Sequence, residues 1–114
     1  MKKIEAVIRS DRLGDVSEAL SAIGVIGFSA IEGKGRGSGA RPMLRGGRGT
    51  TQVRAEYNSI VNMFTLVEDS KVDSVVSAIS GAAFSGNPGD GIIFVTNVED
   101  VVNISSKKKG SAAL

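Results

Sequence analysis

The sequence contains no cysteine, no histidine and no tryptophan among its 114 residues. The absence of cysteine excludes disulfides, thiolate metal sites and thiol nucleophiles, and it is typical of proteins in a reducing cytoplasm. The absence of histidine excludes imidazole zinc ligands and histidine acid–base catalysis. The sequence singles out no pair of carboxylates either, so we expect neither a catalytic centre nor a metal site.

Long apolar runs are also lacking, since none approaches the roughly 20 residues of a membrane-spanning helix. The opening segment, MKKIEAVIRSD, is short and interrupted by charge, unlike a signal peptide. We therefore expect a cytoplasmic protein. The length fits a single domain, residues 1–114, whose small aliphatic core would gain from self-association.

Charge is distributed unevenly along the chain, although the net charge is only +2. Between Glu32 and Glu56 there are no acids but six bases, namely Lys34, Arg36, Arg41, Arg45, Arg48 and Arg54. The C-terminal Lys107, Lys108 and Lys109 add three more, which leaves the rest of the chain with a balance of −7. A basic loop on an acidic body indicates an anionic ligand or an acidic partner surface, unless the charges only keep a solvated loop soluble.

Hydrophobic periodicity predicts alternating strands and helices. The spacing of apolar residues predicts a first helix that is capped by Asp11 and ends at Gly24. A second helix would be capped by Asp69 or Ser70. The predicted strands cover residues 2–9, 25–35, 58–68 and 92–96, and the run 98–104 is a candidate for a short fifth strand.

Two segments are expected to be irregular. Residues 36–52 contain five glycines, one proline and four arginines, so no regular element is expected there. Loops of this length inside a small domain are usually functional or disordered. The polar tail, about residues 105–114, is expected to be flexible.

The two predicted helices repeat one pattern at a constant offset. Each helix also follows one strand and precedes another, so the chain is predicted to contain two successive β-α-β units. Their natural closure is an α+β, ferredoxin-like βαββαβ fold, a four-stranded antiparallel sheet with both helices on one face. The repeat pairs Arg12, Leu13, Val16, Ala19 and Leu20 with Lys71, Val72, Val75, Ala78 and Ile79.

Two glycine-rich segments are candidates for binding an anion. GKGRGSG, residues 33–39, follows the second predicted strand, and GNPGDG, residues 86–91, leads into the fourth. Closely spaced glycines expose backbone N–H groups to phosphate oxygens because no side chain blocks the approach. Neither segment matches a Walker A or dinucleotide motif. Either one alone is more often a plain turn, in which Asp90 would bond nearby backbone N–H groups.

Two long stretches of the chain resemble a known family. MKKIEAVIRSDRLGDVSEALSAIGVIGFSAIEGKGRG and VVSAISGAAFSGNPGDGIIFVTNVED closely resemble the PII signal-transduction proteins, in particular the GlnK-type regulators of ammonium transporters. The resemblance implies a homotrimer of ferredoxin-like protomers, with nucleotide sites in the clefts between subunits and no catalytic activity. It also implies a protruding T-loop, here about residues 36–56, that docks on a membrane transporter or a metabolic enzyme of nitrogen metabolism.

Carried over position by position, the resemblance implies a site for an adenine nucleotide, ATP or ADP and also AMP. The adenine side would comprise Val7, Gly27, Ser29 and Leu66. The phosphate side would comprise the start of the T-loop and the second glycine-rich segment, namely Gly35, Arg36, Gly37, Ser38, Gly89, Asp90 and Gly91. The loop would contact its partner through Arg41, Arg45, Arg48 and Arg54.

The phosphate side departs from the family pattern at three cations. Ile92 stands where the family usually has Lys after the GDG turn. Asn103 and Ser105 stand where it has two Arg near the end of the last strand. Because these cations neutralise the outer phosphates, we expect a reduced preference for ATP, with Arg36 or the basic tail as a partial replacement.

The T-loop departs from the family pattern as well. Gly39 replaces the Gln that many members use with magnesium and 2-oxoglutarate, which argues against sensing of 2-oxoglutarate. The loop tip lacks the tyrosine that is uridylylated in the family, since Tyr57 lies at the base of the loop.

Two other functions remain open from the sequence. A structural trimer that has lost its ligand is consistent with the missing cations. A nucleic-acid-binding module would use the RGG-like run of the loop. Because this loop has no aromatic residue for stacking and the body is acidic, we expect no nucleic acid.

Overall fold

A computed structural model describes residues 1–45 and 52–114, so the predicted partner-binding residue Arg48 lies outside the described residues. None of the helices in these two ranges is long and apolar enough to cross a membrane. The helices and strands follow one another as β1 (Lys2–Arg9), α1 (Leu13–Ala22), β2 (Ser29–Gly35), β3 (Met43–Arg45), β4 (Gln52–Arg54), β5 (Asn58–Val67), α2 (Val72–Ala83) and β6 (Gly91–Asn97).

Four strands form one antiparallel sheet in the order β2-β5-β1-β6. Side chains alternate between the two faces of each strand, and the even-numbered residues of β1 face the helices. The core between this face and the helices includes Ile4, Ala6, Ile8, Val16, Leu20, Val61, Met63, Val75 and Ile79. The predicted ferredoxin-like α+β fold, with both helices on one face of the sheet, is therefore confirmed.

Both helices begin differently from the prediction. A 3₁₀ turn precedes each of them, Ser10–Arg12 before α1 and Asp69–Lys71 before α2. Neither of these helices, which lie wholly within the described residues, has a side-chain cap. The predicted caps Asp11, Asp69 and Ser70 are wrong because all three residues lie inside the 3₁₀ turns. The two carboxylates bind cations there, Asp11 the Arg9 guanidinium at 2.7 Å and Asp69 the N-terminal ammonium at 2.8 Å.

The end of α1 agrees with the prediction. The Gly24 N–H donates to the Ser21 carbonyl at 3.1 Å, and the Val25 N–H donates to the Leu20 carbonyl at 3.0 Å. These bonds satisfy carbonyl groups of the last helical turn. The following strand begins later than predicted, at Ser29, because residues 24–28 do not join the ladder with β5 and instead line a groove beside its end.

The loop between β2 and β5 contains a short antiparallel ladder, contrary to the prediction of no regular element. Met43 stands opposite Arg54, and Leu44 stands opposite Val53. The Ala55 N–H donates to the Pro42 carbonyl at 2.8 Å. The ladder forms because these two segments supply each other's backbone hydrogen bonds. A glycine-rich composition does not prevent such pairing.

The candidate fifth strand does not form within the described residues 98–104. Two residues of the region form only an isolated bridge, between Val102 and Lys109. The Asn103 Oδ1 accepts the N–H groups of Ser105 and Ser106, both at 3.0 Å, and so turns the chain. The tail then forms a 3₁₀ helix, Gly110–Ala113. Its predicted flexibility stays a prediction.

Candidate functional site

The turn between α2 and β6 is organised by the half-buried Asp90. Its carboxylate accepts a hydrogen bond from the Ser85 N–H at 2.6 Å and another from the Ser85 hydroxyl. The Asn87 N–H donates to the Ser85 Oγ at 3.2 Å. The hydroxyl bond first, and then the N–H bond, hold the pKa of Asp90 below its usual range. The side chain of Asp90 is therefore occupied in shaping the turn.

Gly91 places this turn directly against β1. Its φ is +123°, and a Cβ added there would overlap the Val7 carbonyl oxygen. Any side chain would therefore push β6 away from β1, so this position requires glycine. The contact makes Val7 a neighbour of the glycine turn.

The start of the T-loop touches the same turn. A Cβ on Gly39 would lie 2.9 Å from the Gly89 Cα, and a Cβ on Gly89 would lie 2.6 Å from the Gly39 Cα. The backbones of the two glycine-rich segments are thus in contact. We call Val7, Gly39, Gly89 and Gly91 the glycine cluster. It unites the two segments predicted for the phosphate side, together with Val7 from the predicted adenine side.

The base of the T-loop is closed by an ion pair. Arg36, at the start of the loop, lies 3.5 Å from the Glu56 carboxylate at its end, and both side chains are exposed. Of the predicted partner-binding arginines, Arg41 is half-buried and Arg54 is exposed on β4. Arg45 is the last residue of β3. Within residues 1–45 and 52–114, no three acidic side chains converge into a potential metal site.

The other predicted adenine residues line a groove at the opposite end of the sheet. β5 runs past the first residue of β2, and residues 24–28 lie beside this end of β5 and line a groove of about 770 Å³ with it. Gly27, Ser29 and Leu66 line it. The buried Thr65 holds this wall in place, because its hydroxyl donates to the Gly27 carbonyl at 2.6 Å.

The predicted nucleotide residues therefore fall into two separate sets within one protomer. Leu66 stands opposite Lys3 at the start of β1, whereas Val7 stands opposite Asn62 near its end. These positions are separated by about 13 Å at the rise of an antiparallel strand. The groove contains none of the second set, and the cavity lined by Asp90 and Gly91 contains none of the first.

Sequence reasoning missed the contribution of the C-terminal segment to the groove. Ser111 and Leu114 line the same groove as Leu66. The signal was weak, since only the apolar AAL after a lysine run marks this segment. Asn103 stands at one of the positions where the family has an arginine. Its Nδ2 donates to the Ala113 carbonyl at 3.4 Å and so connects this segment to the preceding turn.

A second missed feature is the apolar surface beside the glycine cluster. Ile92, in place of the expected Lys, is 64% exposed. It stands opposite Val7 and two residues before Phe94 on the same face of β6. The cation that the family pattern would place here is therefore replaced by an apolar side chain at the surface.

Comparison with known proteins agrees with the resemblance noted in the sequence. Residues 1–108 match the family model described as nitrogen regulatory protein P-II. Over 116 aligned positions that cover all of both chains, the protein is 40% identical to the nitrogen regulatory protein P-II of Azospirillum brasilense. The corresponding identities are 39% with the P-II protein of Microchaete diplosiphon and 36% with that of Rhizobium meliloti, again over both full lengths. The chain belongs to the P-II family of nitrogen regulatory proteins.

Proposed function

We propose that this protein is a non-catalytic, cytoplasmic regulator that binds an adenine nucleotide between the subunits of a homotrimer. Its T-loop, residues 36–56, would report the bound nucleotide by docking on or leaving a membrane transporter of the ammonium type or a metabolic enzyme. The observation that carries this proposal is the division of the predicted nucleotide residues into two sets at opposite ends of the sheet.

A cleft between two protomers would reunite these two sets. One subunit would supply the groove with Gly27, Ser29 and Leu66, and its neighbour would supply the glycine cluster. The groove is mostly apolar and suits a base, whereas the glycine cluster presents backbone and suits phosphates. A single protomer offers either half but not both.

The open face of the sheet supports association of this kind. The helices cover one face only, and the other face carries many apolar side chains where water would favour polar ones. Ile31 is 62% exposed on this face and Phe94 is 39% exposed. An apolar surface of this kind typically marks a protein–protein interface. The apolar residues of the open face are Val7, Ile31, Ile60, Phe64, Leu66, Ile92 and Phe94.

The charges near the glycine cluster favour a weak preference for triphosphate. Ile92 contributes no cation, and Arg36 is already paired with Glu56. Arg9, at the end of β1, is paired with Asp11. We therefore expect adenine nucleotides to bind, with ATP no more than about tenfold tighter than ADP. Magnesium and 2-oxoglutarate are not expected to add to this binding, because Gly39 has no side chain to hold them.

Isothermal titration with AMP, ADP and ATP, with and without magnesium and 2-oxoglutarate, tests this function. Ile92→Lys restores a cation beside the glycine turn and should tighten ATP more than AMP, because the new charge faces the outer phosphates. Ser77→Lys adds the same charge on the exposed side of α2 and should change neither affinity.

The competing function is a structural trimer that has lost its ligand, which the absence of a cation at Ile92, Asn103 and Ser105 favours. Failure of every adenine nucleotide to bind at millimolar concentration would establish this alternative. ATP binding a hundredfold tighter than ADP would instead require a cation at the outer phosphates other than those named here.

A further inference from the structure

Strands β3 and β4 form a two-stranded ribbon that is not part of the main sheet. Residues that stand opposite each other in such a ladder share a face, and successive residues alternate between the two faces. Leu44 stands opposite Val53, so both lie on one face, which we call the apolar face. The opposite face, which we call the basic face, carries Met43, Arg45, Gln52 and Arg54.

The apolar face is open to solvent in the described part of the chain. Leu44 is 52% exposed and Val53 is 55% exposed. An isolated two-stranded ribbon is only marginally stable in water. The ribbon would therefore gain from a surface that removes these two aliphatic side chains from water.

The charge of the segment that contains the ribbon has one sign. Between Glu32 and Glu56 there are six bases and no acid. Arg36 is paired with Glu56 at the base of the loop, whereas the exposed Arg54 forms no ion pair with any described residue. A surface that complements the ribbon must therefore supply anions as well as apolar contacts.

A lipid bilayer with anionic headgroups meets both requirements. Amphipathic segments lie in the plane of such an interface, with apolar side chains among the acyl chains and basic side chains among the headgroups. A nucleic acid would supply phosphates but no apolar interior, and the segment between Glu32 and Glu56 has no aromatic side chain for base stacking. The same lack of tyrosine and tryptophan is untypical of the anchors at protein–protein interfaces.

We propose that the ribbon binds directly to the surface of a bilayer that contains anionic lipids, with Leu44 and Val53 against the acyl chains and the basic face at the phosphates. This binding goes beyond the proposed function, which gives the loop a protein partner. It requires neither a nucleotide nor a transporter. In a homotrimer three ribbons would bind together, so that a weak affinity for each ribbon becomes a stronger one for the assembly.

Flotation with lipid vesicles, in the absence of nucleotide and of any other protein, tests this binding. At low salt the wild-type protein should float with vesicles of phosphatidylcholine that contain about one-third phosphatidylglycerol, and it should not float with pure phosphatidylcholine. Added salt should weaken the binding, because it screens the charges. A wild-type protein that does not float with the anionic vesicles would overturn the proposal and leave the proposed function unaffected.

The double variant Leu44→Thr/Val53→Thr tests the apolar face. Threonine keeps the preference for a strand but loses most of the apolar contact, so the partition coefficient into the anionic vesicles should fall about tenfold. The control is Val102→Thr/Ile104→Thr, a similar change at two exposed residues outside the loop, which should bind like wild type. Equal binding by the two double variants would overturn the proposal.

Arg54→Gln tests the basic face. Removal of one basic side chain from the headgroup region should lower the partition coefficient about fivefold. Arg12→Gln is the control, because it removes the same charge from the turn before α1. An equal loss in both variants would mean that net charge alone attracts the protein to the vesicles, and it would overturn the assignment to the ribbon.

Protection of the wild-type protein from trypsin gives an answer that depends on no variant. Anionic vesicles should slow cleavage after Arg54, whereas phosphatidylcholine vesicles should not. Unchanged cleavage in the presence of anionic vesicles would overturn the proposal. Binding of a single-stranded RNA oligonucleotide by a wild-type protein that ignores the vesicles would also overturn it and would assign the basic face to nucleic acid.

Discussion

At the scale of single residues, Asp90 illustrates how a side chain in a glycine turn is used structurally. Its carboxylate accepts both hydrogen bonds that Ser85 offers, and these bonds lower its pKa. A group with a depressed folded-state pKa contributes stability above its unfolded pKa of about 3.9 and loses that contribution as pH falls through the folded value. The turn should therefore weaken in acid.

Replacing this residue gives a prediction with a definite pH window. Asp90→Asn should lower the urea midpoint at pH 7, because an amide nitrogen cannot accept the second bond from Ser85. The difference from wild type should shrink as the pH falls below about 4, where the carboxyl of the unfolded chain takes up a proton, and should be lost once the pH passes below the depressed pKa of the folded protein. Denaturant unfolding between pH 3 and 7 measures it.

The control for this experiment is Glu99→Gln. Among the described residues, Glu99 makes no hydrogen bond or ion pair through its carboxylate, so its replacement should leave the pH profile unchanged. A loss of stability in Asp90→Asn that is the same at every pH would contradict the assigned role of the ionised carboxylate.

At the scale of elements, the connection between α1 and β2 receives a hydrogen bond from a side chain of β5. Thr65 of β5 is 4% exposed, and its hydroxyl reaches the Gly27 carbonyl at 2.6 Å. This bond fastens residues 24–28 to the end of β5, where both segments line the groove.

Thr65→Val keeps the shape of the side chain but leaves the Gly27 carbonyl without its donor. We expect a loss of about 1 kcal/mol in the free energy of unfolding, the usual net contribution of an intramolecular hydrogen bond, because Gly27 is exposed and water can partly replace the lost donor. Faster amide exchange across residues 24–28 should accompany it. Thr65→Ser is the matched control, because it retains the hydroxyl. If Thr65→Ser destabilises the protein as much as Thr65→Val, the methyl group rather than the hydrogen bond holds this segment.

At the scale of the whole molecule, the proposed trimer would use the open face of the sheet for its subunit contacts. Sedimentation equilibrium at micromolar concentration should give a mass about three times that of the chain. A clean monomer would contradict both the assembly and a nucleotide site between subunits.

A charge on the open face should dissociate this trimer. Phe94→Lys places an ammonium group in the middle of β6 directly opposite Glu5, so that an isolated protomer can accept it as a cross-strand pair. Burying that group between subunits would be costly, and the sedimentation mass should fall towards that of a monomer. Ser77→Lys, on the exposed side of α2, should leave the mass unchanged. A Phe94→Lys variant that sediments like wild type would place the subunit contact elsewhere.

The residues of the core show why the fold could be predicted from the sequence. Ile4, Ala6 and Ile8 alternate at the strand period, and Val16 and Leu20 recur at the helix period, so local patterns identify which side of each element is buried. The constant offset between the two helices then indicates two β-α-β units. These features depend only on near neighbours along the chain.

The helix starts and the loop ladder could not be predicted in this way. Asp69 binds the ammonium group of Met1, a residue 68 positions away, and this contact exists only after β1 has paired with β5. Likewise, β3 and β4 form because Ala55 meets Pro42 across the loop. A cap or a hairpin is decided by which partner is nearest in space, and the sequence alone does not provide that distance.

By itself, the sequence determined the family, the order of the two helices and of the four strands of the main sheet, and the buried face of each, since these follow from periodicity and from motifs of adjacent residues. The tertiary structure alone decided how the candidate site is divided. It brought Gly39 against Gly89 and Gly91 against Val7, and it left Gly27 and Leu66 at the other end of the sheet. Strand order and register create these contacts and separations, because they set which distant backbones run side by side.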